Sequence, residues 1–287
     1  MRFHSHGRGN DYSILRGVME STLRLLYRGH WPAHLWSLFP AAHRVRQVRA
    51  SVSLAMSDGP PCRIAFVSDL HIGPTTPEPL LRRVFAAIGD AEPDVVLLGG
   101  DYVYLDATEA GLRLLTDLVS TVACPVKLGV LGNHDLWTHD DRIVAALESA
   151  GATVLVNQAV ALPPPWEQVT VVGLDDPWTG SCDAEAAFAT VPEHSARIVL
   201  CHAPDGLLQL ENRRFDLYLC GHTHGGQIAT PWGPLVMPRG TLCRQFHAGP
   251  RQMHGSTVLV SRGVGGVELP LRLYAPPDVI VVECGTS

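Results

Sequence analysis

The sequence lacks any apolar run of about 18 residues, the length a membrane-spanning helix needs, so no such helix is expected. Its N-terminus has no continuous apolar core followed by a small-residue cleavage site, so no signal peptide is expected either. Charge is scarce: 17% of residues are charged against 46% hydrophobic, which excludes a disordered chain and describes a globular one. No Cys-x-x-Cys pair occurs. The seven cysteines, at 62, 124, 182, 201, 220, 243 and 284, are odd in number and scattered, several inside apolar runs. That pattern argues against a disulfide framework and for reduced, buried thiols, with a cytoplasmic location as the expectation. There is no internal repeat and no low-complexity linker, and "LPPPW" at 162–166 reads as a stiff turn between strands rather than a domain boundary.

The 287 residues suffice for one large or two modest domains and for a sizeable core. Twenty-seven glycines and 22 prolines imply many turns, and 14 histidines raise the expectation of metal chemistry. The net charge of -6 conceals an asymmetry. Residues 1–50 hold eight arginines against Asp11 and Glu20, a balance of +6, which leaves -12 for the rest. An acidic body with a basic arm points away from nucleic acid, whose phosphate backbone needs a cationic track.

The arm is set at residues 1–55 and the body at 56–287. Within the arm, "SILRGVMESTLRLLYR" (13–28) places Ile14, Leu15, Val18, Met19, Thr22, Leu23, Leu25 and Leu26 at helical spacing. Arg16, Glu20, Arg24 and Arg28 fall on the other side, and Trp31, Trp36 and Phe39 follow. Two readings stand: a helix docked on its own domain, or an interfacial helix with leucines in lipid and arginines on anionic headgroups. The second would put the protein peripherally on the inner face of a membrane. A transit peptide would share the arginine-rich, acid-poor composition if the source were eukaryotic.

From residue 62 strands and helices alternate. "CRIAFVS", "DVVLLGG" and "PVKLGVLG" read as buried strands, with helices over 77–89, 108–123 and 139–151. Strands then crowd together ("ATVLVN", "AVAL", "VTVVGL", "RIVLCH", "FDLYLCG", "STVLVSRG", "DVIVVEC"), with shorter helices near 183–190 and 204–211. The order implies an α/β domain around mixed sheet, parallel units first and hairpin-like strands later.

The tips of the strong strands end in polar residues of one kind. "FVSDLHIG" carries Asp69 and His71, "LLGGDYV" Asp101, and "VLGNHDLW" Asn133, His134 and Asp135. "IVLCHAPD" carries His202 and "YLCGHTHGG" His222 and His224. Ligands of α/β sheets collect beyond the carboxyl ends of strands, so five loops would converge there. Singly, each residue has a bland role as a turn former or a satisfied core histidine. Jointly, that much buried polarity without a metal would cost several kcal/mol. Mixed oxygen and imidazole donors suit Mn, Fe or Zn rather than Mg or Ca. The donors also exceed what one ion needs, and a pair of ions about 3.5–4 Å apart sharing a carboxylate would use them. Glycines beside each block would let the backbone approach the ions closely.

"SDLHIG", "GGDYV", "GNHD", "CH" and "GHTHGGQ", in this order over residues 68–227, resemble the calcineurin-like metallophosphoesterase family. "SRGVGG" and "APPDVIVVEC" extend the resemblance, with "GHTHGGQ", to a bacterial branch of phosphodiesterases that often act at membranes; residues 1–55 carry none of it. The resemblance implies a four-layer fold, two mixed sheets packed as a sandwich and flanked by helices. It implies that Asp69, His71 and His224 bind one divalent or trivalent metal, that Asn133, His202 and His222 bind a second, and that Asp101 bridges them. His134 matches the family's catalytic histidine, which hydrogen-bonds the phosphoryl oxygen and protonates the leaving alkoxide while metal-activated water attacks in line. The one-residue gap in "GHTHGGQ" is read as an extended segment, both histidines on one side and Thr223 facing away.

One departure bears on substrate. Protein phosphatases of the family carry "GDxVDRG", whereas this chain reads "GGDYVYLD", without the arginine. That favours a phosphodiester or pyrophosphate, on a small molecule, a lipid or a nucleotide-sugar lipid. A nuclease or cyclic-nucleotide phosphodiesterase is the alternative, and a non-catalytic scaffold of the same fold the remote one. In "GLDDPWTG", Asp175, Asp176 and Trp178 are candidates for the leaving group, with a plain turn as the competing reading. Arg239, Arg244 and Arg262 are candidate phosphate contacts.

Overall fold

A computed structural model describes residues 5–55 and 59–286. Residues 1–4, 56–58 and 287, and with them the start of the arm, its assigned join to the body and the last residue, lie outside it. Two helices open the chain, α1 (Ile14–Leu26) and α2 (Trp31–Ser37). The first half of the body then runs β1 (Arg46–Leu54), β2 (Cys62–Val67), α3 (Glu78–Gly89), β3 (Val95–Leu98), α4 (Glu109–Thr121), β4 (Val126–Gly129), α5 (Asn133–Trp137), α6 (Asp140–Ser149) and β5 (Thr153–Val154). The second half runs β6 (Gln158–Ala161), β7 (Val169–Gly173), α7 (Ala184–Phe188), β8 (Ala196–Leu200), β9 (Leu217–Cys220), β10 (Ala229–Thr230), β11 (Gly233–Pro234), β12 (Gly249–Met253), β13 (Ser256–Val260) and β14 (Asp278–Thr286).

Two six-stranded sheets form the body, in the orders β1-β14-β2-β3-β4-β5 and β12-β13-β9-β8-β7-β6. Period-two burial explains the layering. In β2, Ile64 and Phe66 join the core between the sheets, while Ala65 and Val67 face the outer helices. The inner core adds Val95 and Leu97 from the first sheet and Val171, Ile198, Leu200, Leu217 and Leu219 from the second. Leu80, Val84, Leu115 and Leu147 of α3, α4 and α6 cover one outer face; Ala184 and Ala187 of α7, with Leu207 and Phe246, cover the other. Each fully buried aliphatic or aromatic side chain contributes about 1.5–3 kcal/mol, and with both faces of each sheet covered the strands read as apolar runs. The α/β four-layer expectation holds.

Strand directions differ in part from the sequence reading in the second half. Hairpin pairs are present, β6 with β7, β10 with β11 and β12 with β13, but the centre of the second sheet, β7, β8, β9 and β13, is mutually parallel. Apolar runs mark both arrangements alike, because a central parallel strand is buried on two faces.

The arm also needs correction. Residues 46–54 are an edge strand paired in parallel with β14, in register from Arg46 opposite Asp278 to Leu54 opposite Thr286, so a boundary at 55 cuts into the sheet. Upstream the chain docks: Gly9 N donates to Leu136 O (2.9 Å), Asn10 N to Thr179 O (2.8 Å) and Ala33 N to Pro74 O (3.0 Å). α1, capped by the Ser13 side chain on Arg16 N, buries Gly17 and Glu20 and leaves Ile14 and Leu15 exposed. The polar side, not the leucine side, faces the body. Trp36 is in the core, whereas Trp31 and Phe39 are exposed.

Candidate metal centre

The parallel strands β2, β3, β4, β8 and β9 end at one edge of the sandwich. The loops beyond them carry the residues singled out from sequence, and the structure brings these together. His71 Nε2 lies 3.1 Å from His224 Nε2, and His224 Nε2 lies 3.3 Å from Asp69 Oδ1. On the other side, His222 Nδ1 lies 3.3 Å from His202 Nε2, which lies 3.2 Å from Asp101 Oδ2. That same Asp101 oxygen is 3.5 Å from His71 Nε2. Asp69–His71–His224 and Asp101–His202–His222 thus form two triads, the ligand atoms of each within 4.8 Å of one another, and Asp101 Oδ2 of the second also approaches His71 of the first.

One atom left without a partner fits a cation. Asn133 Oδ1 is buried with no hydrogen-bond partner among the described residues; His222 Nε2 is likewise unpartnered, while His71 turns Nε2, not its unpartnered Nδ1, to the cluster. An amide oxygen buried without a donor is costly unless an ion takes it. His202 Nδ1 faces the Gly99 carbonyl at 2.8 Å, so its N–H is engaged there and Nε2 turns to the cluster, the usual support behind a metal-binding imidazole. Burial holds His71 down to about 3 and His222 down to about 4, so both rings are neutral near pH 7, the form that ligates. Burial works to raise Asp69 and Asp101, yet the imidazoles around them, His224 for Asp69 and His202 for Asp101, keep both carboxyls below the ordinary range. The donor set is two carboxylates, an amide and four imidazoles, which suits transition metals.

His134 sits at the start of α5, its backbone N–H donating to Asp101 Oδ1 at 2.8 Å. Its ring packs on those of His71 (4.9 Å between centroids), Trp137 (5.1 Å) and Tyr104 (5.5 Å). It also forms a third close group with His71 and Asp101. Asp135 underlies this arrangement: its carboxylate accepts from the backbone N–H groups of Asp101 (2.7 Å), Tyr102 (2.8 Å) and Gly132 (3.0 Å), tying the β3 and β4 loops together.

The "GHTHGGQ" segment is not extended. His222 (φ 67°) and His224 (φ 53°) are left-handed with Thr223 right-handed between them, and residues 224–226 form a 3-10 turn. The turn sends the two imidazoles to different triads, while Thr223 Oγ1 donates to His247 O at 2.8 Å, away from the centre. Gly221 has no room for a side chain: a Cβ there would lie 2.1 Å from Ser68 Oγ and 2.2 Å from Asp69 Oδ2.

A cleft of about 660 Å³ opens over the cluster, lined by Asp101, Asn133, His134, His222 and His224 on its floor. Trp178 and Arg239 line it as well. Asp176 is buried behind them, its Oδ1 accepting from Trp178 N (3.0 Å) and Thr179 N (2.7 Å), and burial pushes its carboxyl up to about 6. Asp176 therefore shapes the 173–180 turn rather than reaching a leaving group. Asp175 is held by Arg8 through two hydrogen bonds (2.6 and 2.7 Å), so the arm occupies it. Arg244 is exposed and does not line the cleft, and Arg262 is committed to buried Asp278 at 3.2 Å.

Sequence reasoning missed several residues. Arg16, Met19 and Leu15 of α1 form a wall of the cleft, and Trp137 packs beside His134. Arg272 is buried with its guanidinium 2.9 Å from His224 Nδ1, which fixes that ring. Trp137 stands three residues from His134, inside "VLGNHDLW", but nothing there marks it as a contact. Arg16 and Arg272 lie 118 and 48 residues from their histidine partners, and only the fold joins them.

Residues 62–226 match the family model described as calcineurin-like phosphoesterase. Phosphodiesterase YaeI of Escherichia coli is 34% identical over 242 residues, covering 82% of this chain and 87% of that protein. A metallophosphoesterase of Bacillus subtilis, YkuE, is 30% identical, covering 76% of this chain and 77% of its own. UDP-2,3-diacylglucosamine pyrophosphatase LpxG of Chlamydia muridarum is 24% identical over 279 residues, covering 77% and 83% respectively.

Proposed function

The chain belongs to the calcineurin-like phosphoesterase family and is a phosphoric ester hydrolase, and we propose that it cleaves a phosphodiester or pyrophosphate of a lipid-linked substrate at a two-metal centre. The observation that carries this is the placement of Asp101 Oδ2, 3.5 Å from His71 Nε2 and 3.2 Å from His202 Nε2, between two triads. Asp69, His71 and His224 would hold one ion, Asn133, His202 and His222 the other, with Asp101 facing both. Bound ions supply Lewis acidity, which lowers the pKa of a water and draws charge from the phosphoryl oxygens. His134, locked by its backbone bond to Asp101 and by Trp137 and Tyr104, is held over the cleft floor to donate a proton to the departing oxygen.

Two features support the substrate class. Where the phosphatase block has its arginine, this chain has Leu105, which is buried. The mouth of the cleft is apolar: Leu15, Val236 and Leu269 line it while 79%, 62% and 52% exposed, and Trp232 nearby in sequence is 92% exposed. Acyl chains would cover such a rim. The name of the chlamydial relative, a pyrophosphatase acting on a diacylated nucleotide sugar, supports the same choice.

A peripheral position on an anionic membrane, the inner face of a cell membrane being the natural one, follows from the same rim. Apolar contact carries it more than charge does. Arg8, Arg16 and Arg24 are paired with Asp175, Glu20 and Asp106, which among the described residues of the arm leaves Arg28, Arg44, Arg46 and Arg49 outward. The same pairing takes three arginines out of any cationic track for nucleic acid. No helix among the described residues is long and apolar enough to cross a membrane.

The test is a hydrolysis panel on metal-stripped protein reloaded with Mn, Fe, Zn or Mg. It compares phosphomonoesters, phosphodiesters, cyclic nucleotides, DNA and nucleotide-sugar lipids. Preference for diesters and pyrophosphates, with activity restored by transition metals, is expected. Preference for monoesters or DNA, or inactivity with every metal, sinks the reading.

A further inference from the structure

α1 lies along the mouth of the cleft, and Arg16 is the residue through which it enters. Arg16 Nε meets Glu20 Oε1 at 2.9 Å and Nη1 meets Glu268 Oε1 at 3.2 Å. The guanidinium carbon stands 4.5 Å from the centroid of the Trp137 ring. Two acids and an aromatic face therefore fix the planar fork, and the side chain is only 19% exposed. The remaining nitrogen, Nη2, is 3.4 Å from both Nδ1 and Nε2 of His134. Equal separations place it over the ring face rather than along either lone pair, so this contact spends no donor well. Among the described residues Nη2 meets no carboxylate or carbonyl oxygen. A cation with unspent donors, beside the proposed proton donor and on the wall of an anion-binding cleft, wants an anionic acceptor.

We propose that Arg16 is a substrate-binding residue whose Nη2 donates to a non-bridging phosphoryl oxygen lying between His134 and the metal ligands. The N-terminal helix thereby supplies, from outside the five sequence blocks, the arginine that "GGDYVYLD" lacks. Glu20 and Glu268 hold the fork and limit its net charge, which suits the single charge of a diester better than the dianion of a terminal phosphate. The proposal rests on reading the cleft as a phosphoester site.

The experiment uses full-length, manganese-loaded protein with two probes: inorganic phosphate, titrated calorimetrically, and bis(p-nitrophenyl) phosphate, followed by turnover. Arg16→Met is expected to weaken phosphate binding and raise KM about tenfold to a hundredfold, the loss of one charge-assisted hydrogen bond, with metal content unchanged. Arg16→Lys keeps the Glu20 pair without the fork and should fall between. Arg28→Met, on the exposed turn after α1, should match the native protein. Added guanidinium should restore part of the loss in Arg16→Ala, which a clip that merely holds the helix would not permit. Native phosphate affinity and KM in folded Arg16→Met overturn the proposal; if Arg16→Met fails to fold, native constants in Arg16→Lys together with no rescue of Arg16→Ala overturn it. A native protein that neither binds phosphate nor cleaves the diester would instead remove the phosphoester reading itself, and the role of Arg16 with it.

Discussion

Replacing Asp101 by asparagine tests the two-metal arrangement at its joint. The substitution keeps the side chain's volume and leaves an oxygen to accept from His134 N–H, so the fold should survive. It removes the one negative charge that stands near both His71 (3.5 Å) and His202 (3.2 Å). Two unit charges about 4 Å apart exchange roughly 4 kcal/mol at an effective dielectric near 20. For a ligand shared by both ions, that is about three decades of affinity at the least. A metal present at about 100 times its Kd stabilises the folded chain by about 2.7 kcal/mol, and a thousandfold weakening forfeits nearly all of it. For a body of this size the melting temperature in manganese should then fall by roughly 5–11 °C, while the metal-free values of variant and native protein stay closer. The assay is ion counting by mass spectrometry after dialysis, paired with melting curves with and without manganese. Asn133→Ala and His224→Ala should each lose one ion, whereas Asp101→Asn should hold at most one, weakly. An Asp101→Asn protein that keeps two ions and the native manganese-dependent rise in Tm would refute the bridging role.

Three further outcomes follow from the same geometry. His134→Ala should lower kcat by about 10²–10⁴-fold with metal content unchanged; loss of an ion instead would make His134 a ligand, as its proximity to His71 and Asp101 permits. Gly221→Ala forces a Cβ to 2.1 Å from Ser68 Oγ, and such overpacking costs about 1–3 kcal/mol. Its Tm should fall by roughly 2–12 °C and its metal affinity with it, and an unchanged melting curve would show that the loop yields freely. The full chain should co-sediment with phosphatidylglycerol vesicles, and Leu15→Ser with Trp232→Ser should reduce that binding severalfold; equal binding by the double variant would place the lipid surface elsewhere.

What was legible in the sequence was whatever local chemistry marks locally. A polar pair at the tip of an apolar run is visible in one dimension, so Asp69, His71, Asp101, Asn133, His202, His222 and His224 stood out, and the structure gathers all of them. The helical period of 13–28 was equally plain, but its use was not. Amphipathicity says that one face differs from another, not which of them a body will receive. Here the body receives Gly17 and Glu20, because Arg16, Glu20 and Glu268 pair against the cleft wall, and the leucines turn outward. Strand direction was hidden for a related reason. β13 follows β12 as a hairpin but lies parallel to β9, and an apolar run such as "STVLV" carries no mark of its neighbour's orientation. Arg272 was invisible because arginine 48 residues from its histidine partner has no local signature.

Backbone geometry adds a feature no residue pattern discloses. Asp69, His71, Asp101, His222 and His224, five of the seven proposed ligands, have φ between 45° and 67°. Left-handed backbone costs a non-glycine residue about 1–3 kcal/mol where the surroundings impose it, with aspartate at the gentler end. Five such residues together cost roughly 5 kcal/mol or more, a sum comparable with the whole stability of an ordinary domain. Local hydrogen bonds such as Asp69 N to Gly100 O (2.9 Å) and His71 N to Asp101 O (3.0 Å) return only about 1 kcal/mol each. The two sheets, whose buried strands precede these turns, supply part of the balance, and bound ions would supply more, seen as the rise in Tm that Asp101→Asn is expected to abolish.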